Sequence, residues 1–166
     1  MRIRDFDAAR DREALRRCFV ELQDFERTLD PRLPAAEQIA DAYLALMLAR
    51  CRDFAGVVLV AEVEGAVVGF VTIWTRYRST EPDDDPTAHA YVSDLAVSAA
   101  HRRRGIGRSL LRAAEARAHA AGAAWVRISV LASNSAAISL YAVAGFQDFE
   151  IVLEKRLAES VEAGQL

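Results

Sequence analysis

Residues 90–111 read AYVSDLAVSAAHRRRGIGRSLL and hold three patterns in close succession: an alternating apolar segment, a basic turn with two glycines, and an amphipathic segment. The alternation predicts a β-strand over residues 90–97, because successive side chains of a strand point to opposite faces of its sheet. The two predicted faces are Ala90, Val92, Asp94 and Ala96 on one side, and Tyr91, Ser93, Leu95 and Val97 on the other. The amphipathic segment predicts a helix over residues 105–121 that follows the basic turn directly.

The basic turn, HRRRGIG, has the composition of an anion-binding loop. Gly105 and Gly107 would let the backbone approach a ligand closely and direct its N–H groups towards it. A helix N-terminus carries about half a positive charge, so arginines beside it disfavour the helix unless an anion binds. A phosphate or pyrophosphate group would remove this conflict. A solvated arginine cluster is the alternative interpretation of the same residues.

Two common nucleotide-binding motifs do not fit the turn. The phosphate loop of NTPases, GxxxxGK[ST], is absent, and Lys155 is the only lysine in the chain. The dinucleotide fingerprint GxGxxG is also absent, because Leu110 occupies the position of its third glycine.

The residues that are present resemble those of the GNAT superfamily, the acetyl-CoA-dependent N-acetyltransferases. Residues 102–107, RRRGIG, match the family signature R/Q-x-x-G-x-G/A. A second pattern of that family, N-x6-Y-x3-G-F, is matched by Asn134, Tyr141, Gly145 and Phe146. The resemblance covers residues 90–157 closely and is only topological over residues 1–89. The two motifs together are far more specific than either alone.

The resemblance implies acetyl-CoA as cosubstrate and gives roles to particular residues. The backbone of Leu95, Ala96 and Val97 would pair with the pantetheine arm, much as an added strand pairs with a sheet edge. The basic turn would hold the pyrophosphate with these residues: Arg102, Arg103, Arg104, Gly105, Ile106, Gly107 and Arg108. Asn134 would contact the cofactor further along, and Tyr141 would be the general acid that protonates the leaving thiolate. No metal ion is implied.

The general base is not assigned by the resemblance, because the chain departs from the family at two positions. Where different members place a glutamate, this chain has Ser93 and Ser129. Asp94 is adjacent to Ser93, but strand alternation predicts that it points to the opposite face. A water chain ordered by carbonyl and hydroxyl groups is as plausible as a direct carboxylate base.

Three functions are compatible with these residues. The first is transfer of an acetyl group to a primary amine of a small molecule, such as an amino acid, a polyamine or an aminoglycoside. The second is acetylation of a protein N-terminus or lysine side chain. The third is a non-catalytic acyl-CoA-binding domain, which the missing glutamates favour and Tyr141 disfavours. The acceptor stays open, as does the choice between acetyl and a longer acyl group.

Composition narrows the class of protein. The chain has 166 residues, 52% of them hydrophobic and 27% charged, which predicts a single globular domain over residues 1–166. A net charge of −3 gives no support for nucleic-acid binding. The absence of a signal peptide and of any apolar run near 18 residues predicts a cytoplasmic protein without a membrane segment. Cys18 and Cys51 are isolated and are expected to be buried thiols. The resemblance is also compatible with a homodimer.

The remaining patterns predict an α/β fold with a mixed, mostly antiparallel central sheet and flanking helices. Strands are expected at residues 2–6, 57–63, 66–74 and 125–131, with one or two more in 146–157. Helices are expected from residue 7 or 11 to 29, from 34 or 35 to 49, and from 133 or 134 to 144. Glu64-Gly65 predicts a tight hairpin, and Gly69 a bulge or a close backbone approach. The segment from 90 to 131 predicts a right-handed βαβ unit.

Two acidic groups are candidates for attracting an amine, although each is more simply a solvated surface. The first is Glu21, Asp24 and Glu26 near the end of the first helix, since the resemblance implies that the first two helices border the acceptor pocket. The second is Asp83-Asp84-Asp85 in the polar loop between residues 76 and 87.

Overall fold

The computed structural model describes residues 1–79, 82 and 87–157. Its strands are β1 (Arg2–Asp5), β2 (Val57–Val63), β3 (Ala66–Tyr77), β4 (His89–Val97) and β5 (Val126–Ile128). Its helices are α1 (Ala8–Leu29), α2 (Ala36–Asp53), α3 (Ile106–Ala120) and α4 (Ser135–Ala144), with a 3₁₀ turn at Ala99–His101. None of the helices found in these residues is both long and apolar enough to cross a bilayer.

The five strands form one sheet in the order β1-β2-β3-β4-β5. The first four are antiparallel neighbours, whereas β4 and β5 run parallel, as expected for strands joined through the crossover helix α3. The α/β class, the mixed sheet and the flanking helices predicted from the sequence are therefore confirmed.

Apolar side chains cover both faces of the sheet and make two cores. On the α1–α2 side, the buried residues include Leu15, Phe19, Leu44, Met47, Val60 and Phe70. On the α3 side, they include Leu59, Val71, Ile73, Ile106, Leu110 and Ala114. Cys18 and Cys51 are buried free thiols in the first core, and burial raises the pKa of each to about 11. The prediction of buried thiols is confirmed.

The hairpin between β2 and β3 has the predicted turn. Glu64 and Gly65 have φ angles of 52° and 82°, the left-handed geometry that a two-residue hairpin turn requires. Gly69 shows both predicted features. The β2–β3 register shifts beside it, and a Cβ atom on Gly69 would lie 2.6 Å from the carbonyl oxygen of Ala96. Only glycine allows β3 and β4 to approach so closely at this point.

Strand β4 departs from simple alternation. Ile73 pairs with Val92 and Thr72 pairs with Asp94, so Ser93 is an extra residue that forms a β-bulge. Residues on the α3 side are Ala90, Val92, Leu95 and Val97, whereas Tyr91 and Ala96 belong to the α1–α2 side. The predicted assignment of β4 side chains to the two faces of the sheet is therefore wrong after Val92. One inserted residue moves every side chain that follows to the opposite face.

Three segment predictions in the second half need correction. Residues 146–157 form no strand, since their backbone groups make no ladder with the sheet. Strand β5 is shorter than predicted, because it pairs with β4 only over residues 126–128. The helical pattern predicts a buried stripe of Ile106, Leu110, Ala114 and Ala121 in α3, but the last buried position is Ala118 and Ala121 is exposed. The predicted aspartate cluster at residues 83–85 lies outside the described residues.

A partly buried ion pair joins β1 to the start of α1. Asp7 caps the helix by accepting a hydrogen bond from the N–H of Ala9. Asp11, 1% exposed, instead accepts two hydrogen bonds from the Arg4 guanidinium, at 2.5 and 2.9 Å. Arg4 Nε also donates to Glu62 on β2 at 2.9 Å. Arg4 lowers the pKa of Asp11, so the carboxylate is charged in the folded protein at neutral pH.

Replacing Asp11 with alanine should destabilise the protein, because it leaves the Arg4 charge buried without its main partner. We expect Asp11→Ala to lower the free energy of unfolding by about 3 kcal/mol at neutral pH, measured by urea denaturation. Asp41→Ala is the control, since Asp41 makes only an exposed ion pair with Arg16 and should change stability little.

The destabilisation should depend on pH in one direction. The pKa of Asp11 is lower in the folded than in the unfolded protein. The ionised carboxylate therefore contributes fully to the free energy of unfolding above the unfolded-state pKa, and this contribution is lost as the pH falls through the folded-state pKa. The free energies of unfolding of wild type and Asp11→Ala should therefore become equal in acid. An equal difference in stability at neutral and acidic pH would contradict the assigned role.

Candidate active site

The candidate site begins where β4 and β5 separate. Their parallel pairing joins only residues 90–92 to residues 126–128. Beyond the Ser93 bulge, residues 94–97 of β4 have no β5 partner, so this edge of the strand faces an opening between the two strands. Such an edge offers backbone N–H and C=O groups to an extended ligand.

A cavity of about 420 Å³ occupies this opening, within the range of about 300–1,000 Å³ typical of small-molecule sites. Its walls are the end of β4, the basic turn, the start of α3, one face of α4 and two side chains of α1. The residues that line it are Leu22, Phe25, Leu95, Ala96, Val97, His101, Arg102, Arg103, Gly105, Ile106, Gly107, Arg108, Asn134, Ala136, Ala137, Leu140 and Tyr141.

The cavity brings together almost all of the residues that the sequence singled out. Those on its wall are Leu95, Ala96, Val97, Arg102, Arg103, Gly105, Ile106, Gly107, Arg108, Asn134 and Tyr141. Arg104 is exposed and does not line the cavity. His119, which the helical pattern places on the solvent-facing stripe of α3, is exposed.

The basic turn presents the N-terminus of α3 to the cavity. Arg103 and Gly105 have φ angles of 62° and 78°, so the chain turns sharply twice before the helix begins. Gly105 is the N-cap and supplies no capping side chain, which leaves the first N–H groups of α3 without a side-chain acceptor. These amides and the adjacent arginines give this end of the cavity a positive potential.

Close packing at Gly107 explains the small residue there. A Cβ atom on Gly107 would lie 3.2 Å from Leu140 Cδ2 on α4 and 3.8 Å from Val97 Cγ2 on β4. A larger side chain would therefore displace α4 or enter the cavity.

Arg102 is held by contacts within the protein. Its Nε donates to the carbonyl oxygen of Val97 at 3.0 Å, and its guanidinium carbon lies 5.1 Å from the centroid of the Phe25 ring. Glu21, also on α1, accepts a hydrogen bond from the N–H of Ala99 at 2.8 Å. These contacts fasten the basic turn to β4 and α1, and sequence patterns gave no indication of them.

Helix α4 carries Asn134 and Tyr141. Asn134 is its N-cap, and its Oδ1 accepts from the N–H of Ala137 at 3.1 Å. Tyr141 is half-buried, and its ring centroid lies 5.9 Å from that of Phe146. Burial, with a smaller contribution from the charge of Glu26, raises the pKa of Tyr141 to about 12. The Tyr141 hydroxyl therefore keeps its proton at neutral pH.

Two carboxylates lie on the α1–α2 side of the opening. Asp94 accepts hydrogen bonds from Tyr43 Oη and from Ser93 Oγ, each at 2.6 Å, and burial raises its pKa. Burial and the negative charge of Asp94 also raise the pKa of the Tyr43 hydroxyl. The Ser93–Asp94 hydrogen bond stabilises the bulge at which β4 leaves β5.

Glu26 is the second carboxylate, and its environment differs from the predicted solvated surface. It is half-buried, whereas Asp24 on the same helix is exposed. Burial, followed by the charge of Asp94, raises the pKa of Glu26. Glu26 does not itself line the cavity, but it lies one helical turn after Leu22, which does, and this four-residue spacing is the signal in the sequence that could have placed it on the same face of α1.

Comparison with known proteins agrees with this architecture. A sequence model described as the acetyltransferase (GNAT) family matches residues 13–146. The chain belongs to this family.

Two curated relatives match part of the chain. An L-2,4-diaminobutyric acid acetyltransferase from Nocardia farcinica is 36% identical over 92 residues, which are 55% of this chain and 44% of that protein. An N-alpha-acetyltransferase from Sulfurisphaera tokodaii is 33% identical over 104 residues, which are 61% of this chain and 62% of that protein. The chain thus spans about half the length of the curated relatives it matches.

Two solved structures share the fold across nearly the whole chain. A GCN5-related N-acetyltransferase from Ralstonia eutropha JMP134 superposes with a TM-score of 0.70 at 22% identity, covering 93% of this chain and 97% of that one. An aminoglycoside N-acetyltransferase in complex with CoA superposes with a TM-score of 0.66 at 18% identity, covering 95% and 99%. At these identities the likeness shows the fold alone.

Proposed function

We propose that this protein transfers an acetyl group from acetyl-CoA to a primary amine of a small, cationic acceptor. The observation that carries the proposal is that one cavity joins the positive N-terminus of α3, the open edge of β4 and Tyr141. These are the three features that a CoA thioester requires: a site for its phosphates, a strand edge for its amide-containing arm and a proton donor near its sulfur.

The residues present fit acetyl-CoA. The amides at the start of α3, with Arg103 and Arg108, would hold the pyrophosphate. The backbone of residues 95–97 would pair with the amides of the pantetheine arm. Arg102 would act mainly by holding the turn in place, since its Nε already donates to Val97. When bound, acetyl-CoA supplies an activated acetyl group as a thioester.

The acceptor amine must lose a proton before it can attack. An amine with a pKa of about 10.4 is almost fully protonated near neutral pH, and removing its proton costs about 4 kcal/mol. We assign Glu26 as the group that attracts the ammonium and receives this proton, directly or through water. Its raised pKa makes it a better base than a solvated glutamate. Its carbonyl oxygen accepts from the N–H of Asp30, but no hydrogen bond or ion pair of its carboxylate is found among the described residues, which leaves that group available to the acceptor.

Tyr141 Oη is the proton donor in this proposal. Because its pKa is raised to about 12, it remains protonated at neutral pH. It lines the same cavity as the β4 edge and so can donate to the departing sulfur.

The proposal of a small cationic acceptor has two supports. Glu26 is a half-buried carboxyl group on α1 that an ammonium group could pair with, and its charge contributes to the raised pKa of Tyr141. Two of the proteins that this chain resembles are named for diaminobutyric acid and for an aminoglycoside, both of which carry several amino groups. The relative named as an N-alpha-acetyltransferase supports the alternative acceptor, a protein N-terminus.

The function is tested by measuring CoA release from acetyl-CoA with the purified protein. The acceptors are diamino acids, polyamines, aminoglycosides and peptides with free N-termini. Turnover with any of the small acceptors (diamino acids, polyamines or aminoglycosides), and not with peptides, supports the proposal. Turnover with peptides only would show protein acetylation instead, and binding of acetyl-CoA without any turnover would show a non-catalytic domain.

Cofactor binding should be lost when Gly107 is enlarged. Acetyl-CoA at about 100 times its Kd should stabilise wild type by about 2.7 kcal/mol, which is roughly a 5–10 °C rise in Tm. Gly107→Leu should remove this rise, because its side chain must enter the space against Leu140 or the cavity. Gly65→Asn is the control in the distant hairpin, where a Cβ has open space and asparagine tolerates positive φ. A full thermal shift in Gly107→Leu would contradict the proposed pyrophosphate site.

Removing the Tyr141 hydroxyl should slow the chemical step. Tyr141→Phe keeps the ring against Phe146 and removes only the proton donor. We expect kcat to fall by about 10²–10⁴-fold, with little change in the acetyl-CoA thermal shift. Steady-state kinetics and thermal shift on the same preparation separate a catalytic loss from a folding defect. Near-normal turnover would leave water as the proton source.

Glu26→Gln should remove the proposed base at nearly constant shape. We expect kcat/KM to fall by about 10²-fold. The wild-type profile of kcat/KM against pH should decline in acid with an apparent pKa above the value of about 4.3 for a free glutamate, and this limb should disappear in the variant. Asp24→Asn, an exposed carboxylate on the same helix, should keep both the rate and the limb. An unchanged profile in Glu26→Gln would exclude Glu26 as the base.

A further inference from the structure

The α1–α2 side of the opening carries a further ionisable group, Arg50 of α2, to which the proposed reaction gives no role. Its guanidinium carbon lies 5.4 Å from the centroid of the Trp74 ring on β3. The residue is exposed, and no hydrogen bond or ion pair of its guanidinium is found in the part of the chain that the structure describes. The guanidinium therefore keeps its N–H donors for a ligand.

Arg50 faces the sheet because it lies on the same stripe of α2 as two residues that contact the sheet. Tyr43, Met47 and Arg50 follow one another at intervals of four and three residues, the spacing of one helix face. Tyr43 Oη donates to Asp94 at 2.6 Å, and Met47 Sδ accepts from Thr72 Oγ1 at 3.0 Å. These two contacts fix the rotation of α2 about its axis and so place Arg50 above the sheet.

Aromatic contacts connect Arg50 to the point where β4 and β5 separate. The Trp74 ring stacks on the Tyr91 ring, and their centroids are 5.3 Å apart. Tyr91 Oη donates in turn to Ser129 Oγ at 2.8 Å. Ser129 directly follows Ile128, the last residue of β5 and the last that pairs with β4. Arg50 is thus linked through two stacked rings to the edge of the opening.

The electrostatic surroundings of Tyr43 place an acidic and a basic group near one another. Burial and then Asp94 contribute most to the raised pKa of the Tyr43 hydroxyl. Of the smaller contributions, the charge of Glu26 raises this pKa and the charge of Arg50 lowers it. The Tyr43 hydroxyl therefore lies within electrostatic range of both Glu26 on α1 and Arg50 on α2.

This arrangement is better suited to a carboxylate than to a second cation. Aromatic rings alone would attract an ammonium group. Trp74 is only 6% exposed, however, and Arg50 already lies over its ring. The guanidinium would repel another cation at this place, whereas a carboxylate can accept two parallel hydrogen bonds from it.

We propose that Arg50, held over the Trp74 ring, binds the carboxylate of the acceptor, so that the preferred acceptors are diamino acids and not polyamines or aminoglycosides. The proposal rests on the proposed acetylation of a small cationic amine and specifies its acceptor. A diamino acid is still a cation overall, because its two ammonium groups outnumber its carboxylate. The ammonium group that is to be acetylated would meet Glu26, while Arg50 holds the carboxylate.

The proposal is tested with pairs of acceptors that differ only in the carboxylate: free lysine with cadaverine, and ornithine with putrescine. Wild type should show the higher kcat/KM for the diamino acid of each pair. Arg50→Gln should raise KM for the diamino acids by about 10–100-fold, the effect of losing a hydrogen bond to a charged group. The kinetics with the diamines should stay unchanged. The kcat for the diamino acids should change little, because the carboxylate is bound equally in the ground and transition states.

Two further variants are the controls. Arg52→Gln removes an exposed arginine of the same helix that lies outside the stripe of Tyr43, Met47 and Arg50, and it should behave as wild type with all the acceptors. Arg50→Lys keeps the charge without the planar pair of donors and should give intermediate KM values for the diamino acids. An unchanged KM for the diamino acids in Arg50→Gln, or an equal loss with both members of a pair, would overturn the proposal.

A binding measurement separates this proposal from the proposed function. Each acceptor is added at saturating concentration to the protein with CoA present, and the rise in Tm is recorded, which requires no turnover. A rise with the diamino acids that Arg50→Gln removes and Arg52→Gln keeps supports the carboxylate site, even if no acceptor is acetylated and the proposed function fails. An equal rise with the diamines, or no rise with the diamino acids, overturns the carboxylate site, and acetylation is judged separately by CoA release.

Discussion

The separation of β4 from β5 after Val92 is the constraint on which the cavity depends. Parallel strands normally continue their hydrogen bonds along their common length, which here would close the opening. The extra residue Ser93 interrupts this, and Asp94 holds the bulge through hydrogen bonds from Ser93 and Tyr43. The backbone of residues 94–97 consequently lacks a β5 partner at the bottom of the cavity, where it can serve a ligand. A local defect in one ladder thus produces the binding groove.

Charge is distributed unequally around this opening. The N-terminus of α3 and the arginines beside it make the cavity positive at one end. Glu26 and Asp94 lie on the α1–α2 side, and burial raises the pKa of both. An anionic cofactor would therefore be drawn to the α3 end of the cavity. The basic turn is held against α1 by the contacts of Arg102 with Phe25 and of Glu21 with Ala99. The phosphate end of the cavity is therefore in direct contact with the helix that carries Glu26.

Local signals in the sequence were strong enough to predict most of the elements. The hairpin at Glu64-Gly65 depends on the backbone preferences of two residues. The close approach of β3 and β4 at Gly69 depends on the absence of a side chain there. The helix stripes and the crossover from β4 to β5 follow from periodicity and chain order. The resemblance named eleven of the residues that line the cavity, whereas it gave no role to Leu22, Phe25 or the lining alanines of α4.

What the sequence determined by itself was therefore the class of fold and the motif residues around the cavity, because both depend on short-range patterns. Only the tertiary structure decided the phase of β4, since a bulge is a property of two strands and not of one. It also distinguished Glu26 from Asp24, because their burial depends on which neighbours α1 meets across the sheet. The tail at residues 146–157 shows the same limit: its composition favours a strand, but a strand forms only where another edge accepts its hydrogen bonds.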